Sequence, residues 1–221
     1  MDLPCRGCLG PLGAGSRAGL CGRCWSGLAP LPEDRCPRCA LVHGTCGNGG
    51  AWSRGDALWA YRAGRPALGA LLVPGIKGGE WGWKGALLER ARQVPLPDFT
   101  SQADLVCSAP SGTLRRWLRG FDLAGEAAAM IAARIGRPFR ILLRKTWLAQ
   151  AQAGLPAGRR RQLPARAVAV RKGHPLEGAC ILLVDDVWTT GTTLTRCAQA
   201  LRRAGARDVA VLALFRALPD S

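Results

Sequence analysis

The run Ile181-Leu-Leu-Val-Asp-Asp-Val-Trp-Thr-Thr-Gly-Thr-Thr-Leu194 constrains the fold of this chain more than any other feature. Its aliphatic start suits a strand buried on both faces, as strands of a parallel sheet are. Two adjacent carboxylates, Asp185 and Asp186, follow at the carboxyl end of that strand. A turn through Thr189, Thr190, Gly191, Thr192 and Thr193 comes next, and a helix is predicted from about Thr192. Leu194, Cys197, Ala198 and Leu201 make its apolar stripe, and Gly205 ends it. In open α/β sheets ligands bind at the carboxyl ends of the strands. The amides and dipole of a helix start favour an anion there.

The residue types define the ligand further. Gly191 lets backbone approach a phosphate closely, and the threonine hydroxyls add donors. The two carboxylates would repel a bare phosphate, but they accept hydrogen bonds from vicinal hydroxyls. A phosphate at the helix start and a diol at the acids together describe a ribose 5-phosphate. The acids also suit positive charge developing at an anomeric carbon as pyrophosphate leaves. Without a ligand, the same run would be an ordinary strand–turn–helix whose acidic pair caps the helix. Trp188 is either a packing residue or a stacking surface beside the site.

Other segments extend the α/β pattern. Strands are expected at Leu58–Tyr61, Asp104–Cys107, Phe139–Leu143, Ala167–Val170, Ile181–Val184 and Asp208–Phe215. Asp122 is placed to cap a helix through Ala124–Ile135, which Gly136 and Pro138 terminate. A short helix start is expected at Pro66–Leu72, a loop at Lys77–Lys84, and a long polar loop at 149–166. Strands alternating with helices predict a parallel, Rossmann-like sheet with helices on both faces.

Residues 1–50 follow a different logic. They are rich in Cys, Gly and Pro, and they hold seven of the ten cysteines. Such a segment cannot build a core by burial alone and needs a staple. Cys5-Arg-Gly-Cys8 and Cys21-Gly-Arg-Cys24 are two C-x-x-C pairs twelve residues apart. Two pairs can complete a tetrahedral four-sulfur site, for which Zn2+ is the best fit. Cys36-Pro-Arg-Cys39 is a third pair with no complete fourth. Cys36, Cys39, His43 and Cys46 would make a second zinc site, or else a metal-free knuckle. Cys107, Cys180 and Cys197 are expected in strand or helix interiors. The chain therefore divides into a zinc module at 1–50 and an α/β domain at 51–221.

The formal net charge is +16. That balance favours polyanionic partners, or it reflects an arginine-rich surface that is merely solvated. Tryptophans interleave with basic residues at Lys77–Lys84 and Arg115–Arg119, a combination found in single-strand binders. No stretch approaches the roughly 20 apolar residues that span a bilayer, and no signal peptide opens the chain. A cytoplasmic protein is expected.

A cysteine-pair module followed by this strand–turn–helix resembles the ComF family of bacterial competence proteins. The Ile181–Leu194 run is similar to the phosphoribosyl pyrophosphate motif of type I phosphoribosyltransferases. Ile76-Lys77-Gly78-Gly79 resembles the family's Lys-Tyr-x-Gly segment. Ser108-Ala-Pro110 through Arg115, Arg116 and Arg119-Gly-Phe-Asp122 resembles its proline loop and Arg-Gly-Phe-Asn run. Gln152-Ala-Gly-Leu155 with Arg159, Arg160 and Arg161 resembles its Gln-Ala-Gly-Leu segment. Asp122, Pro156, Leu163 and the missing fourth cysteine depart from the pattern.

The resemblance implies a protein of DNA uptake in natural transformation, with single-stranded DNA and competence or replication-restart proteins as partners. Pyrophosphate would be met by Lys77, Ser108, Arg115 and Arg116, with Mg2+ bridging it to the ribose. Three hypotheses follow. The chain is a phosphoribosyltransferase with an unknown acceptor, a non-catalytic DNA- and protein-binding adaptor that retains the sugar-phosphate pocket, or a zinc-dependent structural protein. The last leaves residues 181–194 unexplained.

Overall fold

The computed structural model describes residues 4–5, 10–17, 19–26, 28, 30–42, 46, 51–61, 84–110, 122–146 and 166–219. In chain order these contain α1 (Gly22–Ser26), β1 (Arg54–Tyr61), α2 (Lys84–Gln93), β2 (Leu105–Ser108), α3 (Leu123–Arg134), β3 (Leu143–Lys145), β4 (Val168–Val170), β5 (Cys180–Trp188), α4 (Thr192–Arg203) and β6 (Asp208–Ala217). A 3-10 turn at Asp98–Gln102 precedes β2.

The main sheet is parallel throughout, in the order β1-β6-β5-β2. Its central strands, β5 and β6, are the ones with continuous aliphatic runs, because both of their faces are covered. Successive side chains point to opposite faces. On one face Leu182, Val184, Leu212 and Leu214 pack with Leu87, Ala127 and Ile131 of α2 and α3. On the other, Leu183, Val211 and Ala213 pack with Leu194, Cys197 and Leu201 of α4. The cysteine-rich segment reaches both layers: Cys5, Leu20 and Leu28 join the first cluster, and Leu31, Cys39 and Ala40 the second.

The helix ends follow their local chemistry. The Asp122 carboxylate accepts from the Gly125 amide at 3.3 Å and caps α3. Asparagine and aspartate cap helices about equally well, so aspartate here suffices for the cap. Gly191 starts α4 at φ 79°, and Gly205 follows that helix at φ 100°.

Three expectations are corrected. Phe139–Leu143 is not a strand: Phe139 makes a single parallel bridge to Val106, and strand geometry begins only at Leu143. Val168–Val170 does not join the parallel sheet but pairs antiparallel with β3 in a separate ribbon. A short apolar run does not distinguish a central strand from a ribbon lying under a helix, and β4 packs on α4. The basic stretch ending at Lys84 runs into α2, which begins at Lys84 and was not anticipated. Lys84 Nζ meets Glu126 Oε1 at 2.9 Å, and Arg134 donates to the carbonyls of Ala91 and Val94, so both ends of α2 are tied to α3. The expected helix start at 66–72, the rest of the 77–84 loop, and residues 149–165 of the polar loop lie outside the described residues.

Candidate anion and ribose site

The run 181–194 adopts the expected form. β5 extends through both acids to Trp188, the turn occupies 189–191, and α4 starts at Thr192. Asp185, Val187 and residues 188–194 line one open concavity of about 210 Å3. Thr189, Thr190 and Thr192 are exposed, whereas Gly191 and Leu194 are buried. Thr190 Oγ1 lies 3.0 Å from Thr192 Oγ1. Two hydroxyls that close, at the start of a twelve-residue helix, can converge on one oxyanion.

Gly191 is required twice over. Its φ of 79° is strained for any residue with a Cβ, and a Cβ there would sit 2.9 Å from Trp188 Nε1. Trp188 is therefore a packing residue. It is 2% exposed, T-shaped against Trp52 at 5.5 Å, and covered by the Arg216 guanidinium 4.6 Å from its ring centre.

The acids accept local backbone hydrogen bonds: Asp185 Oδ1 from the Asp186 amide at 2.9 Å, and Asp186 Oδ1 from the Val187 amide at 2.8 Å. Burial, and then the charge of Asp186, hold the Asp185 carboxyl well above the usual carboxylate range, while Lys145 pulls it back. Lys145, at the end of β3, is thus a cation within electrostatic reach of the acid, and sequence reasoning did not single it out. Arg216 was also missed. A charged residue inside the apolar stretch Val209–Ala217 was its available signal.

The other expected ligand contacts are distributed unevenly. Ser108 is buried at the carboxyl end of β2, opposite Val184. The next amide, that of Ala109, donates to the Val184 carbonyl at 2.8 Å. Lys77, Arg115 and Arg116 lie outside the described residues.

Two thiol clusters form in the cysteine-rich segment. Cys5, Cys21 and Cys24 bring their sulfurs within 4.8 Å of one another, as do Cys36, Cys39 and Cys46. Zn–S bonds of about 2.3 Å put tetrahedral sulfurs roughly 3.8 Å apart, so both triads fit a structural zinc. The Cys21 amide donates to Cys5 Sγ at 3.2 Å. Burial alone would raise the Cys36 thiol, but the amides of Arg38 and Cys39 and the neighbouring sulfurs bring it below its ordinary value. Cys8 and His43, the expected fourth ligands, lie outside the described residues. Cys107 and Cys197 are fully buried in the core as expected, and Cys180 is half-buried beside Arg207.

A parallel sheet with an acidic pair and a Thr-Thr-Gly-Thr-Thr turn at the end of a central strand defines a type I phosphoribosyltransferase fold. Residues 128–219 match the phosphoribosyl transferase domain. Over 214 residues the chain is 29% identical to the DNA utilization protein YhgH of Salmonella typhi, covering 94% of this chain and 82% of that protein. It is 30% identical over 132 residues to Competence protein F of Haemophilus influenzae, covering 58% of this chain and 55% of that one. The chain is thus similar to proteins named for DNA utilization and competence, in line with the ComF resemblance read from its sequence. Among solved structures, the B. subtilis glutamine phosphoribosylpyrophosphate amidotransferase complexed with ADP and GMP is 26% identical, covers 58% of this chain and 25% of that chain, and has a TM-score of 0.39. Among the described residues no helix is long and apolar enough to cross a membrane.

Proposed function

We propose that this chain binds phosphoribosyl pyrophosphate at residues 185–193 and acts in the cytoplasm in handling single-stranded DNA during natural transformation. The observation that carries the ligand is the meeting, inside the matched domain, of the Asp185 carboxylate, two adjacent threonine hydroxyls and a glycine-opened helix start, with Asp186 next to Asp185 on β5. Thr189, Thr190, Gly191, Thr192 and Thr193 hold the 5-phosphate. Asp185 and Asp186 hold the ribose diol. Lys77, Ser108, Arg115 and Arg116 face the pyrophosphate. The carboxylate and phosphate oxygens are a donor set that suits Mg2+, which would neutralise the pyrophosphate when bound. The role in DNA uptake rests on the names of the relatives, which speak of DNA utilization and competence.

As an enzyme, the chain would catalyse displacement at the anomeric carbon. The bond to pyrophosphate breaks with its electron pair leaving on oxygen, and an acceptor nucleophile forms the new bond and loses a proton. The two carboxylates stabilise the intervening positive charge. Residues 1–50 act as a zinc module held by Cys5, Cys8, Cys21 and Cys24 and by Cys36, Cys39, His43 and Cys46, and residues 51–221 form the ligand-binding domain. Competence or helicase proteins are its protein partners.

Isothermal titration with phosphoribosyl pyrophosphate and Mg2+ tests the site. Binding is expected for the native chain and lost in the Asp185→Ala, Asp186→Ala double variant. No heat at millimolar ligand, or affinity untouched by the substitutions, refutes the reading. A second reading is favoured by the same relatives, whose names point to DNA rather than to nucleotide salvage. In it the pocket senses the ligand without turnover, and single-stranded DNA releases no pyrophosphate from the bound complex.

A further inference from the structure

We propose that Arg216 is a positioning residue that ties the Cys36–Cys39–Cys46 cluster to the anion-binding turn, so that a metal ion held by those thiols sets the order of residues 189–191. The turn between Cys36 and Cys39 presents three consecutive carbonyls to the α/β domain. The Pro37 carbonyl accepts from the Gly55 amide at 2.9 Å. The Arg38 carbonyl accepts from Trp52 Nε1 at 2.7 Å. The Cys39 carbonyl accepts from Arg216 Nε at 2.9 Å.

Two of those donors continue directly to the turn. Arg216, 4% exposed in β6, uses Nη1 to donate to the carbonyls of Trp188 at 2.9 Å, of Thr189, and of Ala217 at 3.0 Å. Its guanidinium lies against the Trp188 ring. Trp52 packs edge-on against the same ring. Trp188 in turn fills the space beside both Gly55 and Gly191, where a Cβ would lie 2.8 Å and 2.9 Å from its atoms. Little slack separates the cysteine cluster from Gly191, because each contact is a buried or partly buried hydrogen bond or a closely packed ring.

The cluster itself needs holding. Ala40, next to Cys39, sits at φ 56°, a conformation that disfavours a side chain and persists only where its surroundings enforce it. Its local backbone support is a pair of 2.9 Å hydrogen bonds, Cys36 amide to Leu41 carbonyl and Ala40 amide to Cys36 carbonyl. Metal bound by three converging thiols fixes this turn, and Arg216 transmits that fixity to the carbonyls of Trp188 and Thr189. A planar guanidinium can satisfy several carbonyls at once, and lysine cannot reproduce that fork.

The ligand assigned to the turn rests on the proposed function, whereas the link itself does not. The test uses the full chain and follows zinc content together with hydrogen exchange at residues 189–193, with the buried strand 181–184 as internal reference. Cys46→Ser is expected to lose one zinc and to speed exchange in the turn roughly tenfold, about 1.4 kcal/mol, leaving 181–184 unchanged. Arg216→Lys is expected to keep its zinc yet show the same fast turn. The double variant is expected to be no faster than either single one.

Cys46→Ser that keeps all its zinc, or loses it with the turn unaffected, overturns the proposal. So does additivity in the double variant, or loosening of 181–184 to the same extent as the turn. If Arg216→Lys does not fold, Trp52→Phe, which keeps a ring and removes the bond to Arg38, takes its place. An unaltered turn in that variant likewise overturns the link. Failure of the native chain to bind phosphoribosyl pyrophosphate would remove the ligand reading and leave the exchange result standing.

Discussion

Gly191→Ala is the substitution whose cost the structure specifies best. The left-handed conformation at φ 79° costs an alanine about 1–2 kcal/mol. The new methyl would also lie 2.9 Å from Trp188 Nε1 and 3.5 Å from Trp52. Trp188 cannot retreat, because its far edge already abuts Gly55 and its face carries Arg216. Overpacking of this kind costs roughly 1–3 kcal/mol. The sum, about 2–5 kcal/mol, is taken either from global stability or from the geometry of the turn. In the second case phosphoribosyl pyrophosphate affinity falls roughly 30-fold or more. Urea denaturation and titration calorimetry on one preparation separate the two outcomes. Gly85→Ala is the control: it lies in α2 with open space around it, and alanine there should be neutral or stabilising by up to about 1 kcal/mol. Gly191→Ala with both stability and affinity unchanged would refute the packing argument.

Asp185→Asn is expected to stabilise the ligand-free chain at neutral pH and to abolish ligand binding. Burial and Asp186 raise the Asp185 carboxyl in the folded state. Its contribution to stability is therefore complete below the unfolded carboxylate value near ~4 and is lost as pH rises through the folded value. Asparagine stays neutral, so its Tm advantage over the native chain should grow between pH 4 and pH 7, and a constant difference would contradict the assigned cause. Cys21→Ser is expected to release one zinc per chain and to lower Tm, because Cys5 and Leu20 beside it are part of the main core; metal content and thermal unfolding read both. Binding of single-stranded DNA, measured by anisotropy, should weaken steeply as salt is raised, given the +16 net charge. A salt-independent affinity would argue against phosphate contacts.

The strand–turn–helix of the candidate site was legible because its elements are contiguous. An aliphatic run, two acids and a threonine–glycine turn lie within fourteen residues, so local periodicity and turn chemistry suffice to place them. The same holds for α3, whose cap, alanine-rich body and terminating glycine are adjacent in sequence. β3 and β4 were misread because three-residue strands carry no periodicity, and their pairing is set by what packs over them. α2 escaped notice because few of its residues need burial once Arg134 and Glu126 hold its ends.

By itself, the sequence determined the chemistry available: thiols in pairs, carboxylates beside threonines, and a sheet whose central strands must be covered on both sides. Only the tertiary structure decided how those parts act on one another. It alone brings the Cys39 carbonyl, 177 positions before Arg216, onto that guanidinium, and it alone sets Lys145 near Asp185. Contacts of that span leave no local pattern, because they depend on which strands become neighbours and which side chains the core must still satisfy.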